Sequence, residues 1–428
     1  MEGPTPVSAL IHAATLVVAG VFLIIRCSIF FEHAEPVLFV VSAIGAMTSF
    51  FAASVGLFQN DLKRVIAYST CSQLGYMIFI SGLSHYSVSL FHLANHAVFK
   101  ALLFMSAGCI IHGLSDEQDL RKMGSLFNFF PVSYTTILIG SLALVGFPFL
   151  TGFYSKDCIL EIAIAKQSTI GNFCHFLGTS AAFCTSFYSF RLVFLTFVNP
   201  TNSYKFYIER AHEAPIIMLL PLFILTAGAI FYGYFTRDFM IGLGSLFFNA
   251  VYTNHYNFDL IDSEFLNPVL KNVPFLFTCA GALFSLLLIN CFNVNKKAVY
   301  DFKMTFFAKK VYTFLNKKWF FDQIFNELVV MKFMNFGYGI SFLSIDKGLI
   351  EQLGPSGFTS TIFSSVSNNV NLNTGVLYKT IMAFLLFAFF FVGFFIFNAL
   401  NLFLLINLCF VALMVSYFSF FFFEEMIL

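Results

Sequence analysis

The sequence predicts an all-α polytopic membrane protein, and three observations carry the prediction. Hydrophobic residues make up 59% of the 428 and charged residues only 11%, giving a mean hydropathy of +0.84. Soluble globular domains do not reach such values. Apolar runs of bilayer-spanning length recur about eight or nine times along the chain. The charges between those runs fall into loops that are alternately rich and poor in lysine and arginine, as the two sides of a membrane require.

Spans are expected near 5–26, 37–58, 65–83, 87–112, 131–165 (interrupted), 172–198, 213–235, 273–292 and 378–398, with a further apolar stretch at 402–423. The first follows Gly3-Pro4-Thr5-Pro6, a helix breaker whose prolines suit the start of a helix. Asp61-Leu62-Lys63-Arg64 opens the third, where Arg64 reads as an anchor at the membrane surface. Gly146 and Pro148 interrupt the fifth near its middle. Between 296 and 375 lysines come in pairs, polar residues recur and apolar residues keep a helical spacing. No run there looks long enough to span, so an amphipathic helix lying along the membrane or the protein's flank is expected.

One set of loops holds Lys63, Arg64, Arg121, Lys122, Lys205, Arg210, Lys296, Lys297, Lys303, Lys309, Lys310, Lys317 and Lys318. The opposite set holds Arg26, Arg237 and Lys271 among Glu32, Glu35, Asp238, Asp259, Asp262 and Glu264. The first side is therefore expected in the cytoplasm or matrix. A net charge of +1 argues against nucleic acid as a partner. The nine cysteines are scattered without a CxxC pair, which speaks against a disulfide framework or a cysteine-rich metal site.

The residues with chemistry cluster in a few spans. His92, His96 and Lys100 recur every four residues inside an apolar segment, so they share one helix face and rise along it by roughly 12 Å. A charge at the bilayer centre costs about 2.5–3.5 kcal/mol on the translocon scale, and a file of titratable groups reads first as a proton path. The His92–His96 spacing also matches zinc-binding helices. No glutamate follows His92, and no cysteine or carboxylate lies beside the pair, so no metal is expected. Lys100 is followed by about a dozen apolar or small residues before His112, which favours mid-membrane placement over snorkelling. His12 lies in the first span with Ser8 and Thr15 near it. Behind Lys63 a stripe of Tyr68, Ser69, Ser72, Gln73 and Tyr76 enters the third span; such groups hold water chains between titratable residues or make ordinary interhelical bonds. Lys156 and Asp157 follow the break in the fifth span. Broken membrane helices expose backbone groups that mark ion sites in transporters, and adjacent residues do not face each other, so both are expected to pair with other helices.

Four tracts carry a specific resemblance. Gly3–Thr15, Asp61–Thr70, Phe91–Phe104 (FHLANHAVFKALLF) and Gly152–Asp157 (GFYSKD) resemble signatures of the antiporter-like subunits of respiratory complex I, and within that family the subunit 5 group of mitochondrial NADH dehydrogenase. Trp319-Phe320-Phe321-Asp322 and the run after it resemble that group's lateral helix.

The resemblance implies an antiporter-like inverted-repeat helix bundle with a long lateral amphipathic helix and a C-terminal anchor helix. Residues 1–36 would complete a first repeat, 37–199 form a second repeat of five helices, and 200–295 two further helices and a long loop. Residues 296–375 would be the lateral helix, on the matrix side, and 376–428 the anchor plus the extra apolar segment. His12, Lys63, His92, His96, Lys100, Lys156 and Asp157 would form the proton pathway, with Ser8, Thr15, Tyr68, Ser69, Ser72 and Gln73 supporting it. The implied function is proton pumping coupled to quinone reduction in the mitochondrial inner membrane, with FMN, iron–sulfur clusters and ubiquinone in other subunits and no cofactor here. Other complex I subunits, neighbouring antiporter-like subunits and lipids are the expected partners. In this family the Gly3–Thr15 tract opens the eighth helix, so a split subunit is expected, with the first seven helices on a separate chain. Rival expectations are a subunit of a multisubunit cation/proton antiporter and a non-pumping structural clamp.

Overall fold

The computed structural model describes residues 3–242, 245, 251, 259–294, 301, 304–372, 375–399, 411 and 414. They fall into two compact units, Met1–Asp322 and Gln323–Leu428. Among the described residues the only extended pairing is an isolated bridge between Asp61 and Asp119, and eight helices are long and apolar enough to cross a membrane. The apolar stretch at 402–423 lies outside the described residues apart from 411 and 414, as do Lys296, Lys297 and Lys303.

The first unit is a helix bundle. Its helices are α1 (Thr5–Arg26), α2 (Glu35–Gly56), α3 (Leu62–Gly82), α4 (Tyr86–Gly113), α5 (Pro131–Val145), α6 (Thr151–Ala165), α7 (Thr169–Val198), α8 (Ile216–Ile241), α9 (Pro268–Val294) and α10 (Phe306–Asn316). Proline stands in the first turn of α1, α2 and α5, where its missing N–H would have no partner anyway. Ser168 caps α7, its hydroxyl accepting the Gly171 N–H at 3.0 Å. These signals place the starts within a few residues of the sequence expectation.

α4 is the central element. It packs against α1, α3, α5, α6 and α8, and 72% of its most apolar window is buried. That placement explains how one helix tolerates two histidines, an asparagine and a lysine: its polar face meets protein instead of lipid. α3 is too polar to count as a span by composition, yet its flanks are closed by α2 and α4. Gly45, Ser49, Gly75 and Gly82 line the α2–α3 seam, where small residues let helix backbones meet.

The fifth expected span is two half-helices, α5 and α6. Gly146 ends α5 at φ +91°, in the left-handed region where a Cβ is penalised. The Phe147 N–H donates to Leu142 O at 3.0 Å and the Gly146 N–H to Ala143 O at 3.3 Å, a Schellman closure that leaves the last carbonyls of α5 free. α6 starts so close beside α5 that a Cβ on Gly152 would lie 1.7 Å from Ala143 O.

On the lysine-rich side, Arg191 of α7 ties down the end of α2. Its guanidinium donates to Leu57 O at 3.0 Å, Gln59 O at 2.7 Å and Asn60 Oδ1 at 3.2 Å. Charged hydrogen bonds to helix-end carbonyls contribute roughly 1.5–3 kcal/mol each. Arg191→Ala is expected to lower the unfolding temperature of the detergent-solubilised protein by several degrees, with Arg191→Lys intermediate because it cannot reproduce the fork. An unchanged melt for Arg191→Ala would refute this role.

Between α10 and the end of the first unit, Lys318, Trp319 and Phe320 all adopt positive φ, 56°, 57° and 56°. The Trp319 ring is held there by Phe50, Phe51 and Phe314, with ring centroids 6.2, 5.2 and 5.4 Å away.

The second unit starts in a helix that runs to residue 353, α11, followed by α12 (Pro355–Leu372) and α13 (Leu377–Ala399). One expectation changes here. The stretch Lys318–Asn368 contains an 18-residue window of mean hydropathy 1.4, enough to count as a span by composition. The paired lysines end at Lys317-Lys318, and the following 328–345 carries Lys332 as its only basic residue. Even so, α11 alone is about 46 Å long at 1.5 Å per residue, against a hydrocarbon core of about 30 Å.

Candidate functional site: a buried lysine–histidine line

The site is assembled from three helices. On α3, Ser69, Gln73 and Tyr76 sit at i, i+4 and i+7 and so share a face. Each meets one titratable residue from a neighbouring helix. The Lys100 ammonium of α4 donates to the Ser69 hydroxyl and, at 3.4 Å, to Ile66 O. His92 of α4 places Nε2 3.0 Å from Gln73 Oε1. Lys156 of α6 lies with Nζ 5.9 Å from the Tyr76 ring centroid, a distance at which an ammonium is attracted by the ring face. α3 and α4 are successive spans and therefore antiparallel, which is why ascending positions on α3 meet descending positions on α4.

His92 joins two helices. Its Nδ1 is 2.8 Å from Ser155 Oγ of α6. Because Gln73 Oε1 can only accept, Nε2 carries a proton in this contact. Ser155 stands on α6, the half-helix that also carries Lys156, so this contact ties α4 to the broken helix. Lys156 in turn donates to Val145 O at 3.0 Å and to Thr185 Oγ1 of α7 at 3.1 Å. Val145 is the last residue of α5. The break frees its carbonyl, and the lysine fills that vacant valence.

His96 lies between His92 and Lys100, its ring centroid 6.3 Å from that of His92. Both of its nitrogens, both amide atoms of Asn95 and Gln73 Nε2 are buried and have no protein partner. Buried polar groups are ordinarily hydrogen-bonded, so this stretch of α4 between Lys100 and His92 is unusual in carrying several at once. Lys63 is 5% exposed and Lys100, His92, His96 and Lys156 are at most 1% exposed. Among the described residues, none of these three lysines has a carboxylate within 4 Å. Carbonyls and hydroxyls hold them instead.

Lys156 turns to other helices, to Val145 and Thr185, and not to the adjacent Asp157. Other expected residues are placed differently. The Ser8 and Thr15 hydroxyls donate to their own helix carbonyls, Thr5 O and Leu10 O, leaving buried His12 Nδ1 without a protein partner. Ser72 donates to Ser49 O of α2, a helix-seam bond away from the lysines, and Tyr68 turns toward Lys318. Lys63 reaches Gly3 O at 3.4 Å. Residues missed from the sequence are Ser155, Thr185 and Glu161, the last 3.9 Å from Lys271. Thr185 lies in a run of hydroxyls, Thr179, Ser180, Thr185, Ser186 and Ser189, which was the available signal for it.

The site thus joins a buried lysine lodged at a broken helix to a histidine–lysine face on α4. Two family models match in tandem: NADH:quinone oxidoreductase/Mrp antiporter, TM, over residues 1–183, and NADH dehydrogenase subunit 5 C-terminus over residues 188–396. The chain is strongly homologous to NADH-ubiquinone oxidoreductase chain 5. It is 54% identical to that chain from Marchantia polymorpha, over 90% of this chain and 58% of the relative. Identity is 53% with the Arabidopsis thaliana chain, over 92% and 59% respectively, and 51% with that of Phytophthora infestans, over 88% and 57%. The chain thus spans somewhat under three fifths of the length of these relatives. A chain in the Mrp complex from Dietzia sp. DQ12-45-1b shares the fold, with a TM-score of 0.54, 19% identity, 92% of this chain covered and 38% of the other.

Proposed function

We propose that this chain is a proton-translocating membrane-arm subunit of a respiratory NADH:ubiquinone oxidoreductase. The observation that carries the reading is the buried set of Lys100 on Ser69, His92 on Gln73 and Ser155, and Lys156 on Val145 O, with His96 between the first two on α4. Imidazole accepts a proton on one nitrogen and donates from the other, and a lysine ammonium gives one up when a neighbouring charge changes. Quinone reduction elsewhere in the complex would supply that change. Moving one proton against about 100 mV takes about 2.3 kcal/mol, the size of a modest change in one buried lysine's environment.

Supporting this reading are the homology to chain 5, the tandem family matches and the antiporter-like fold. It includes placement in the mitochondrial inner membrane, with other complex I subunits and antiporter-like neighbours as partners. α11 and α12 would form the lateral helix on the matrix side, since together they extend far beyond one bilayer crossing. A second reading, a subunit of a cation/proton antiporter, is favoured by the fold shared with the Mrp complex chain.

One experiment separates them. The native complex containing this chain is purified, its subunits are identified by mass spectrometry, and it is reconstituted in vesicles. NADH-driven acidification with NADH dehydrogenase subunits present is the expected result. A sodium-dependent pH gradient without NADH oxidation would replace the proposal with the antiporter reading.

A further inference from the structure

α4 carries polar chemistry beyond the segment from Lys100 to His92. Toward its start the same face continues with Ser89 and His85, three and seven residues before His92. Ser89 and Ser81 are 0% exposed, their hydroxyls lie 3.0 Å apart, and Ser89 Oγ donates to Met77 O at 2.9 Å. His85 is 3% exposed and its Nε2 lies 3.3 Å from Asp259 Oδ2. The Asp259 side chain is 25% exposed, so it stands where the buried file reaches solvent, on the lysine-poor side. Lys166, which donates to Leu83 O at 2.7 Å, buried Glu32 and Tyr86 surround the pair. Burial pulls the His85 imidazole below its ordinary value, and the bond to Asp259 opposes that pull. That same bond lowers the Asp259 carboxyl.

We propose that His85 and Asp259 form a second proton-release site, fed from His92 through Ser89 and separate from Lys156. This rests on the proton-translocation reading. A proton arriving at Nδ1 of neutral His85 gives the imidazolium, whose Nε2–H passes to the Asp259 carboxylate. Asp259 then releases the proton to water; His85, left as the Nδ1–H tautomer, regains its starting form by a ring flip, and no electron is transferred. Ser89 lies about one helical turn from both His85 and His92 on the same face of α4, the one hydroxyl of that face between the two imidazoles. A surface ion pair serving only to pin the Asp259–Glu264 helix to the start of α4 would need neither a buried histidine nor the hydroxyl pair behind it.

The test uses the assembled complex in vesicles and reads protons translocated per NADH, together with the amount of assembled complex. Asp259→Asn is expected to lower the ratio, Asp259→Glu to restore it, and Asp259→Asn combined with Lys156→Ala to fall below either single variant. A wild-type ratio in Asp259→Asn, with Lys156→Ala lowered, overturns the second site and leaves the function reading intact. A wild-type ratio in Asp259→Asn and in Lys156→Ala overturns the function reading itself. Loss of assembly in Asp259→Asn that Asp259→Glu does not repair also overturns the second site, assigning the pair to structure. His85→Gln, which keeps a donor but cannot exchange protons, is expected to match Asp259→Asn.

Discussion

Lys156→Ala is expected to leave the complex assembled while sharply lowering protons translocated per NADH oxidised. The lysine is 1% exposed and its ammonium is held by Val145 O and Thr185 Oγ1 and faces the Tyr76 ring. Truncation removes the cation lodged at the helix break, which the proposed pathway uses. Assembly should survive because two opposing costs are similar. Leaving the Val145 carbonyl and the Thr185 hydroxyl unfilled costs about 1–3 kcal/mol per group, while removing an unpaired buried cation relieves a desolvation cost of several kcal/mol. The measurement is dye-monitored acidification of vesicles beside NADH consumption in the same sample. Unchanged stoichiometry in a fully assembled mutant complex would sink the idea.

Gly152→Val should have the opposite profile, with the fold failing before function can be read. A Cβ at this position would meet the Ala143 carbonyl oxygen at 1.7 Å, and the obstacle is backbone, so no rotamer relieves it. α6 would have to withdraw from α5, breaking the Lys156–Val145 bond and parting the His92–Ser155 contact. Overpacking in a well-packed core costs about 3 kcal/mol at the upper end of the usual range, more where backbone must move. The expected outcome is loss of this chain from the membrane fraction, with Gly152→Ala retaining a reduced amount. Normal accumulation of the valine variant would show that the two half-helices are not tightly apposed.

The two predictions mark how far the sequence could be read. Lys156 was legible because a lysine beside a Gly–Pro break in an apolar run has few ordinary explanations. His92, His96 and Lys100 were legible because 3.6-residue periodicity alone puts them on one face. Ser69 and Gln73 were legible as members of a stripe, but their partners were not. Ser72 belongs to the same stripe and bonds the wrong neighbour for the pathway, Ser49 of α2. Ser155 and Thr185 went unnoticed because a hydroxyl in a membrane helix most often satisfies its own i−3 or i−4 carbonyl, as Ser8 and many others here do. The His85–Asp259 pair joins residues 174 apart in sequence, and no local signal announces it.

What the sequence determined by itself follows from local rules. Hydropathy sets the spans, lysine and arginine bias sets the sidedness, Gly and Pro set the break, and periodicity sets which residues share a face. Each of these depends only on residues within a few turns of one another. The tertiary structure alone decided that α4 stands at the centre, that Lys156 donates to the freed Val145 carbonyl, and that Ser155 joins His92 to the broken helix. Those outcomes depend on the rotation of each helix about its axis and on which neighbours close around it. Such choices are made by packing summed over the whole bundle, and no single segment encodes them.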